Sequence, residues 1–110
     1  MAQKMYSRSV QDLGNGCRGV SLPNDMARWF NVEIGDKLLY RMSHEESRVT
    51  YFLTRDVGEF DMTRIVQNLG SECRGVSLPG GMADDFSVRI GDEVRMEIER
   101  ERDAVSYFLG

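Results

Sequence analysis

Residues 17–23 read Cys-Arg-Gly-Val-Ser-Leu-Pro, and the same seven residues return in the same order at positions 73–79. The distance between the two copies is 56 residues. Identity over seven consecutive positions is far beyond what chance gives in a chain of 110 residues. This stretch therefore indicates an internal duplication.

The same offset aligns the chain on both sides of this stretch without a gap. Residues 8–14 match residues 64–70 in pattern, Ile34-Gly35-Asp36 returns at 90–92, and Tyr51-Phe52-Leu53 returns at 107–109. The sequence thus predicts two repeats, residues 1–54 and 63–110, joined by a polar linker over residues 55–62.

Each repeat has the pattern of strand, glycine loop, strand, short helix, strand, turn and strand. Pro23 suits the entrance of a helix, since it has a fixed φ and no N–H to offer a sheet. Met26 and Phe30 then have helical spacing, with Trp29 as a further candidate for the same apolar stripe. In the first repeat the predicted strands are residues 7–13, 19–22, 37–42 and 48–53, with a helix after Pro23 and a hairpin loop over residues 43–47.

Four short strands and one helix are too few to close a core, because small domains bury too little surface. We therefore expect a mostly β, α+β fold in which both repeats share one core. Interleaved hairpins would form a single closed barrel and remove exposed strand edges. Within it, Met26, Phe30, Met82 and Phe86 are predicted core residues, and one ring of each Tyr-Phe pair is expected to be buried.

Composition excludes several classes of protein. Hydrophobic residues make up 41% and charged residues 29%, a balance typical of a folded soluble chain. No stretch has the length of a membrane helix and no leader precedes Tyr6, so a cytoplasmic location is predicted. Cys17 and Cys73 occupy matched positions, so their number reflects the duplication rather than a disulfide framework. The chain has one histidine, His44, which is expected to be a solvated loop residue, and a transition-metal site is not predicted.

Charge is distributed unevenly along the chain. The net charge is −4, but residues 1–54 hold seven Lys and Arg against six Asp and Glu, whereas residues 55–110 hold seven against twelve. The first half is therefore the better candidate for contact with phosphate.

The order of these motifs resembles the AbrB/MazE/SpoVT family of swapped-hairpin domains. The resemblance rests on Val10-Gln11-Asp12-Leu13-Gly14, on residues 18–23, on the short helix, and on Val32-Glu33-Ile34-Gly35-Asp36; it covers residues 7–53 and again 63–109. It implies tandem swapped-hairpin repeats forming one pseudo-dimeric barrel, as in the MraZ-like branch, and binding to double-stranded DNA.

The resemblance also implies a set of DNA-contacting arginines. They map onto the first strand, the position after the glycine turn, and the helix: Arg8, Arg18, Arg28, Arg64 and Arg74. Arginine suits DNA because its planar fork binds phosphate or a guanine edge bidentately. The alternative interpretation is that Arg8 and Arg64 are solvated strand residues that pair with acids such as Asp12.

Two departures from the family pattern stand out. The turn is lengthened by Asn15-Gly16-Cys17 and by Ser71-Glu72-Cys73, and Asp84-Asp85 replaces a basic helix face in the second repeat. Those acids weigh against symmetric docking on DNA.

No catalytic set and no cofactor motif emerges, so an enzyme is not predicted. The leading hypothesis is a DNA-binding transcriptional regulator. A second hypothesis is a protein-interaction module, of an antitoxin-like or adaptor kind, whose acidic second half binds a basic partner. Both a monomeric pseudo-dimer and a homodimer remain open.

Overall fold

A computed structural model of the chain describes residues 5–53, 62–70 and 73–110. The fold is mostly β with two short helices. The first repeat contains β1 (Met5–Ser9), β2 (Gln11–Asp12), β3 (Arg18–Ser21), α1 (Asn24–Trp29), β4 (Lys37–Ser43) and β5 (Arg48–Phe52). The second contains β6 (Thr63–Ile65), β7 (Gln67–Asn68), β8 (Arg74–Ser77), α2 (Gly80–Asp85), β9 (Glu93–Glu99), a 3-10 turn (Arg100–Arg102) and β10 (Ala104–Phe108).

The described strands form two antiparallel sheets. One has six strands in the order β1-β9-β10-β5-β4-β6 and curls into half a barrel. The other has four strands in the order β2-β3-β8-β7. The prediction of a single closed barrel therefore needs correction: the hydrogen-bonded strands make two sheets.

Bends at Val10 and Val66 explain this difference. The strand predicted for residues 7–13 is divided, because Val10 leaves the first sheet: its amide donates to Asp92 O at 2.8 Å and its carbonyl accepts from Gly91 N at 2.8 Å. Val66 makes the matching bonds to Asp36 O and from Gly35 N, also at 2.8 Å. At each buried valine the chain passes from one sheet to the other.

The two repeats pair around a common centre. In the four-stranded sheet Val20 lies opposite Val76, and in the six-stranded sheet Thr50 lies opposite Ser106. The repeats also exchange their first strands, since β1 pairs with β9 of the second repeat and β6 pairs with β4 of the first. Neither repeat therefore completes its own sheet.

Both helices are six residues long and end in the same way. Asn31 and Ser87 have φ values of 54° and follow the last turn, and the next amides reach back, Val32 N to Ala27 O at 2.8 Å and Val88 N to Ala83 O at 2.9 Å. This is the Schellman pattern, which satisfies the last helical carbonyls. The helices present Met26, Ala27, Met82 and Ala83 to the core.

One core lies between the sheets and the helices, as predicted. Met26 and Met82 are buried, and Phe30 and Phe86 pack against them. Tyr51 and Tyr107 are buried while Phe52 and Phe108 are half-exposed, which confirms the prediction for the Tyr-Phe pairs. Trp29 is the exception, because its side chain is 80% exposed. The linker predicted for residues 55–62 lies outside the described residues, apart from Met62.

Candidate nucleic-acid interface

Arg18 and Arg74 begin the two central strands of the four-stranded sheet. Because β3 and β8 run antiparallel, the two residues stand at opposite ends of the pair. The backbones around them match: Leu78 N donates to Arg18 O at 2.8 Å, and Leu22 N donates to Arg74 O at 2.9 Å. The duplication thus places one arginine at each end of a shared two-strand unit.

Arg18 is held by α2 of the other repeat. Its NH1 donates to Val88 O at 2.8 Å, and its NH2 donates to Asp84 Oδ1 at 2.6 Å and more weakly to Gly80 O at 3.5 Å. The Arg18 side chain is 21% exposed, against 72% for Asp84. Arg18 therefore connects β3 to α2, and its guanidinium is already hydrogen-bonded to groups of the same chain.

Arg74 has no such partner among the residues that the structure describes. Its Nε is buried without a hydrogen-bond partner, and no described residue forms an ion pair with its guanidinium. Arg74 as a whole is half-buried. Because Leu22 N donates to Arg74 O, the chain enters α1 beside this end of the sheet, and α1 carries the exposed Arg28 at the position matched to Asp84.

Arg8 and Arg64 lie on the exchanged strands, on the face that also carries Val94 and Leu38. Arg8 NH1 donates to Ser7 O at 3.1 Å. Arg64 NH1 donates to Thr63 O at 3.3 Å, and its guanidinium stands 4.7 Å from the ring centroid of Tyr40. Both are half-buried rather than fully solvated. Asp12, suggested as a partner for Arg8, instead accepts from Gly14 N at 2.8 Å.

Two buried tyrosines lie beneath these strands. Tyr51 and Tyr107 meet edge to face, with centroids 5.7 Å apart, and their hydroxyls donate to Ser77 O at 2.7 Å and Ser21 O at 2.6 Å. Burial raises the pKa of both phenols well above the ordinary value, while the charge of Arg64 lowers that of Tyr51 and the charge of Arg8 that of Tyr107. The tyrosines thereby join the two sheets and remain neutral.

Of the five predicted arginines, two lie on the exchanged strands, two on the central strands of the four-stranded sheet, and one on α1. β1 contacts β3, and β6 contacts β8. The four strands that carry these arginines are therefore neighbours around the β3–β8 pair. Arg28 is the helix member and is exposed. Only the Arg18 guanidinium is bound to an acid of the described chain within this set.

A groove around Trp29 was not predicted from the sequence. It has a volume of about 310 Å³ and is lined by Asp25, Met26, Trp29, Phe30, Arg100 and Asp103. The wall of the groove comes from both repeats, which the repeat pattern alone does not show. At the matched end His44 lies in the turn after β4 and is 57% exposed, as predicted for a solvated loop histidine, and its Nε2 lies 3.2 Å from Asp85 Oδ2.

A second missed feature is the outer face of the six-stranded sheet. Arg48 and Arg95 stand 5.6 Å and 5.2 Å from the ring centroid of Phe108, and Arg102 stands 5.2 Å from that of Phe52. Strand alternation places the two phenylalanines on this face, which is a signal that the sequence did contain. The guanidinium groups cover the two phenylalanine rings, so this face presents charge where its sequence would suggest exposed aromatic side chains.

Comparison with protein-family models, with curated proteins and with solved structures gives no significant match. No helix of the described chain is long and apolar enough to cross a membrane. Across residues 5–53, 62–70 and 73–110, no three His, Cys, Asp or Glu side chains are grouped to hold a metal ion. Cys17 and Cys73 are free thiols.

Proposed function

We propose that this chain is a cytoplasmic DNA-binding transcriptional regulator with tandem AbrB-like swapped-hairpin repeats. The exchange of β1 and β6 between the repeats supports the swapped-hairpin assignment. In this proposal one polypeptide supplies both halves of a pseudo-dimer, and double-stranded DNA is the ligand.

The DNA assignment rests on one observation, the lack of an acid partner for the Arg74 guanidinium among the described residues. Arg74 begins a central strand, it is half-buried with its Nε unpartnered, and no acid in the described part of the chain forms an ion pair with it. A half-buried arginine with no acid partner among the described residues favours the binding of an external anion. Arginine on a strand is well placed to contact a phosphate of the DNA backbone.

Fluorescence anisotropy on a labelled mixed-sequence duplex tests the proposal. Affinity should fall steeply with salt, with a log-log slope of about −0.9 for each phosphate neutralised. Arg74→Ala should weaken binding roughly tenfold and reduce the magnitude of the slope by about 0.9. Lys37→Ala is the matched control, because it removes one exposed charge at the start of β4. Absence of binding at low salt would rule out this function.

A protein-interaction module is the second candidate, and the exposure of Trp29 favours it. A tryptophan that is 80% exposed beside a groove is typical of a protein interface. The acids on which this hypothesis first relied are already engaged, Asp84 with Arg18 and Asp85 with His44. A pull-down should return one stoichiometric protein with the native chain and lose it with Trp29→Ala, while DNA is not retained.

A further inference from the structure

The two ends of the four-stranded sheet are matched in backbone but carry opposite charges at one matched helix position. At one end Arg18 meets α2, and Asp84 lies 2.6 Å from its NH2. At the other end Leu22 N, just before the entrance of α1, donates to Arg74 O at 2.9 Å, and the α1 residue matched to Asp84 is Arg28. The helices have the same length, the same entrance after proline and the same C-terminal hydrogen bonds. The charge is therefore reversed at the helix position that pairs with Arg18. The two ends also differ at Asp25 against Gly81, Trp29 against Asp85 and Glu33 against Arg89.

This reversal has an electrostatic consequence. The Arg18 guanidinium is neutralised inside the chain, so a phosphate could bind there only by displacing the Asp84 carboxylate. Arg74 and Arg28 are both cationic, and two like charges at the same end of the sheet repel each other. A phosphate between them would remove the repulsion and would accept hydrogen bonds from both guanidinium groups.

We propose that the chain binds DNA through one end only: Arg28 and Arg74 hold a backbone phosphate, while Asp84 closes the equivalent site at Arg18. This inference rests on the proposed DNA binding and makes it asymmetric. A protein with two-fold backbone symmetry then makes a one-sided contact, and its footprint is about half that expected for a symmetric docking.

Reciprocal charge exchange tests the proposal. Arg28→Asp gives Arg74 an internal acid, and we expect affinity for the duplex to fall roughly tenfold or more, with a salt slope smaller in magnitude by about 0.9 to 1.8. Asp84→Arg removes the acid from Arg18, and we expect the affinity and the slope to rise by similar amounts. The double variant has the native net charge and should regain native affinity, because the open site has moved to the other end.

Controls separate this result from general electrostatics. Lys37→Glu changes the net charge as much as Arg28→Asp, at an exposed position whose match in the second repeat is Glu93. The thermal midpoint of Arg28→Asp should equal or exceed the native value, since its new carboxylate can pair with Arg74. Replacing chloride by inorganic phosphate at equal ionic strength should not displace the duplex at millimolar concentration. Selective displacement would identify free phosphate as the ligand and overturn the assignment.

The outcomes distinguish this inference from the proposed function. If the native chain binds the duplex but Arg28→Asp behaves like Lys37→Glu, DNA binding stands and the one-sided site is wrong. A double variant as weak as Arg28→Asp would also overturn the inference. If the native chain does not bind at low salt, both the function and the inference are overturned.

Discussion

Gly19 and Gly75 are required because leucine side chains occupy the space where their Cβ atoms would stand. A Cβ on Gly19 would lie closer than 3.0 Å to Leu13 Cγ and to both of its Cδ atoms, and Gly75 has the same relation to Leu69. The whole leucine side chain, rather than its tip, would have to move. We predict that Gly19→Ala destabilises the fold by about 1–3 kcal/mol, measured by urea unfolding.

Gly81→Ala is the matched control for this prediction. Gly81 lies in the first turn of α2, where a Cβ would meet nothing within 4 Å. Alanine there should stabilise the chain by about 0.5–1 kcal/mol, because it lowers the entropy of the unfolded state. Equal effects of the two substitutions would show that packing against Leu13 is not what selects glycine at position 19.

Tyr51 and Tyr107 make the stability of the fold depend on alkaline pH. Both keep their proton in the folded chain above pH 10, because burial raises their pKa, whereas an unfolded chain loses these protons near pH 10. Their contribution is constant below pH 10. Above it, stability should fall by about 1.4 kcal/mol per pH unit for each tyrosine.

Absorbance at 295 nm checks this prediction. Two of the four tyrosines should ionise only together with unfolding, followed in parallel by circular dichroism. Tyr107→Phe should reduce the share of the pH slope that comes from these groups by about half, at the cost of the hydrogen bond to Ser21 O. Ionisation of all four phenols before unfolding would contradict the buried placement.

At the scale of elements, the sequence predicted most strands because alternation and glycine turns are local signals. It did not predict the break at Val10, since that break depends on hydrogen bonds from Gly91 and to Asp92, about 80 residues away. The same limit applies to the candidate site. Arginine at positions 18 and 74 was visible, but the capture of Arg18 by Asp84 depends on how α2 packs on β3.

Glu99 joins three elements at the centre of the six-stranded sheet. Its side chain is 7% exposed; Arg102 NH1 donates to it at 2.9 Å and Ser106 Oγ donates to its other oxygen. Ser106 also contacts Thr50 Oγ1 at 2.7 Å. Glu99→Ala removes the acceptor of the buried Ser106 hydroxyl and the partner of the half-exposed Arg102, so we predict a loss of about 1–3 kcal/mol in the free energy of unfolding.

Two further variants define the role of Glu99. Glu99→Gln keeps an acceptor for Ser106 and should cost less than Glu99→Ala in the same thermal or urea unfolding series. Glu93→Gln changes an exposed acid at the other end of β9 and should have almost no effect. A loss from Glu93→Gln as large as that from Glu99→Ala would mean that general charge, and not the buried network, is responsible.

At the scale of the whole molecule, the duplication predicted a shared core but not which strands the repeats exchange. β1 completes the sheet of the second repeat and β6 completes that of the first. Every strand pairing at the centre, Val20 with Val76 and Thr50 with Ser106, also joins one repeat to the other. Each half therefore lacks, by itself, the partners for its exchanged and central strands.

The separated halves should accordingly fold only as dimers, and preferably with each other. A fragment of residues 1–54 carries a charge of +1, and a fragment of residues 63–110, with six Lys and Arg against nine Asp and Glu, carries −3. The mixed dimer gains this attraction and the Arg18–Asp84 ion pair, whereas a dimer of the first fragment would place Arg18 opposite Arg28 twice. Native mass spectrometry of an equimolar mixture should show mostly the mixed dimer, less so as salt rises. Folded monomeric fragments would contradict the exchange of strands, because each half would then close its own core.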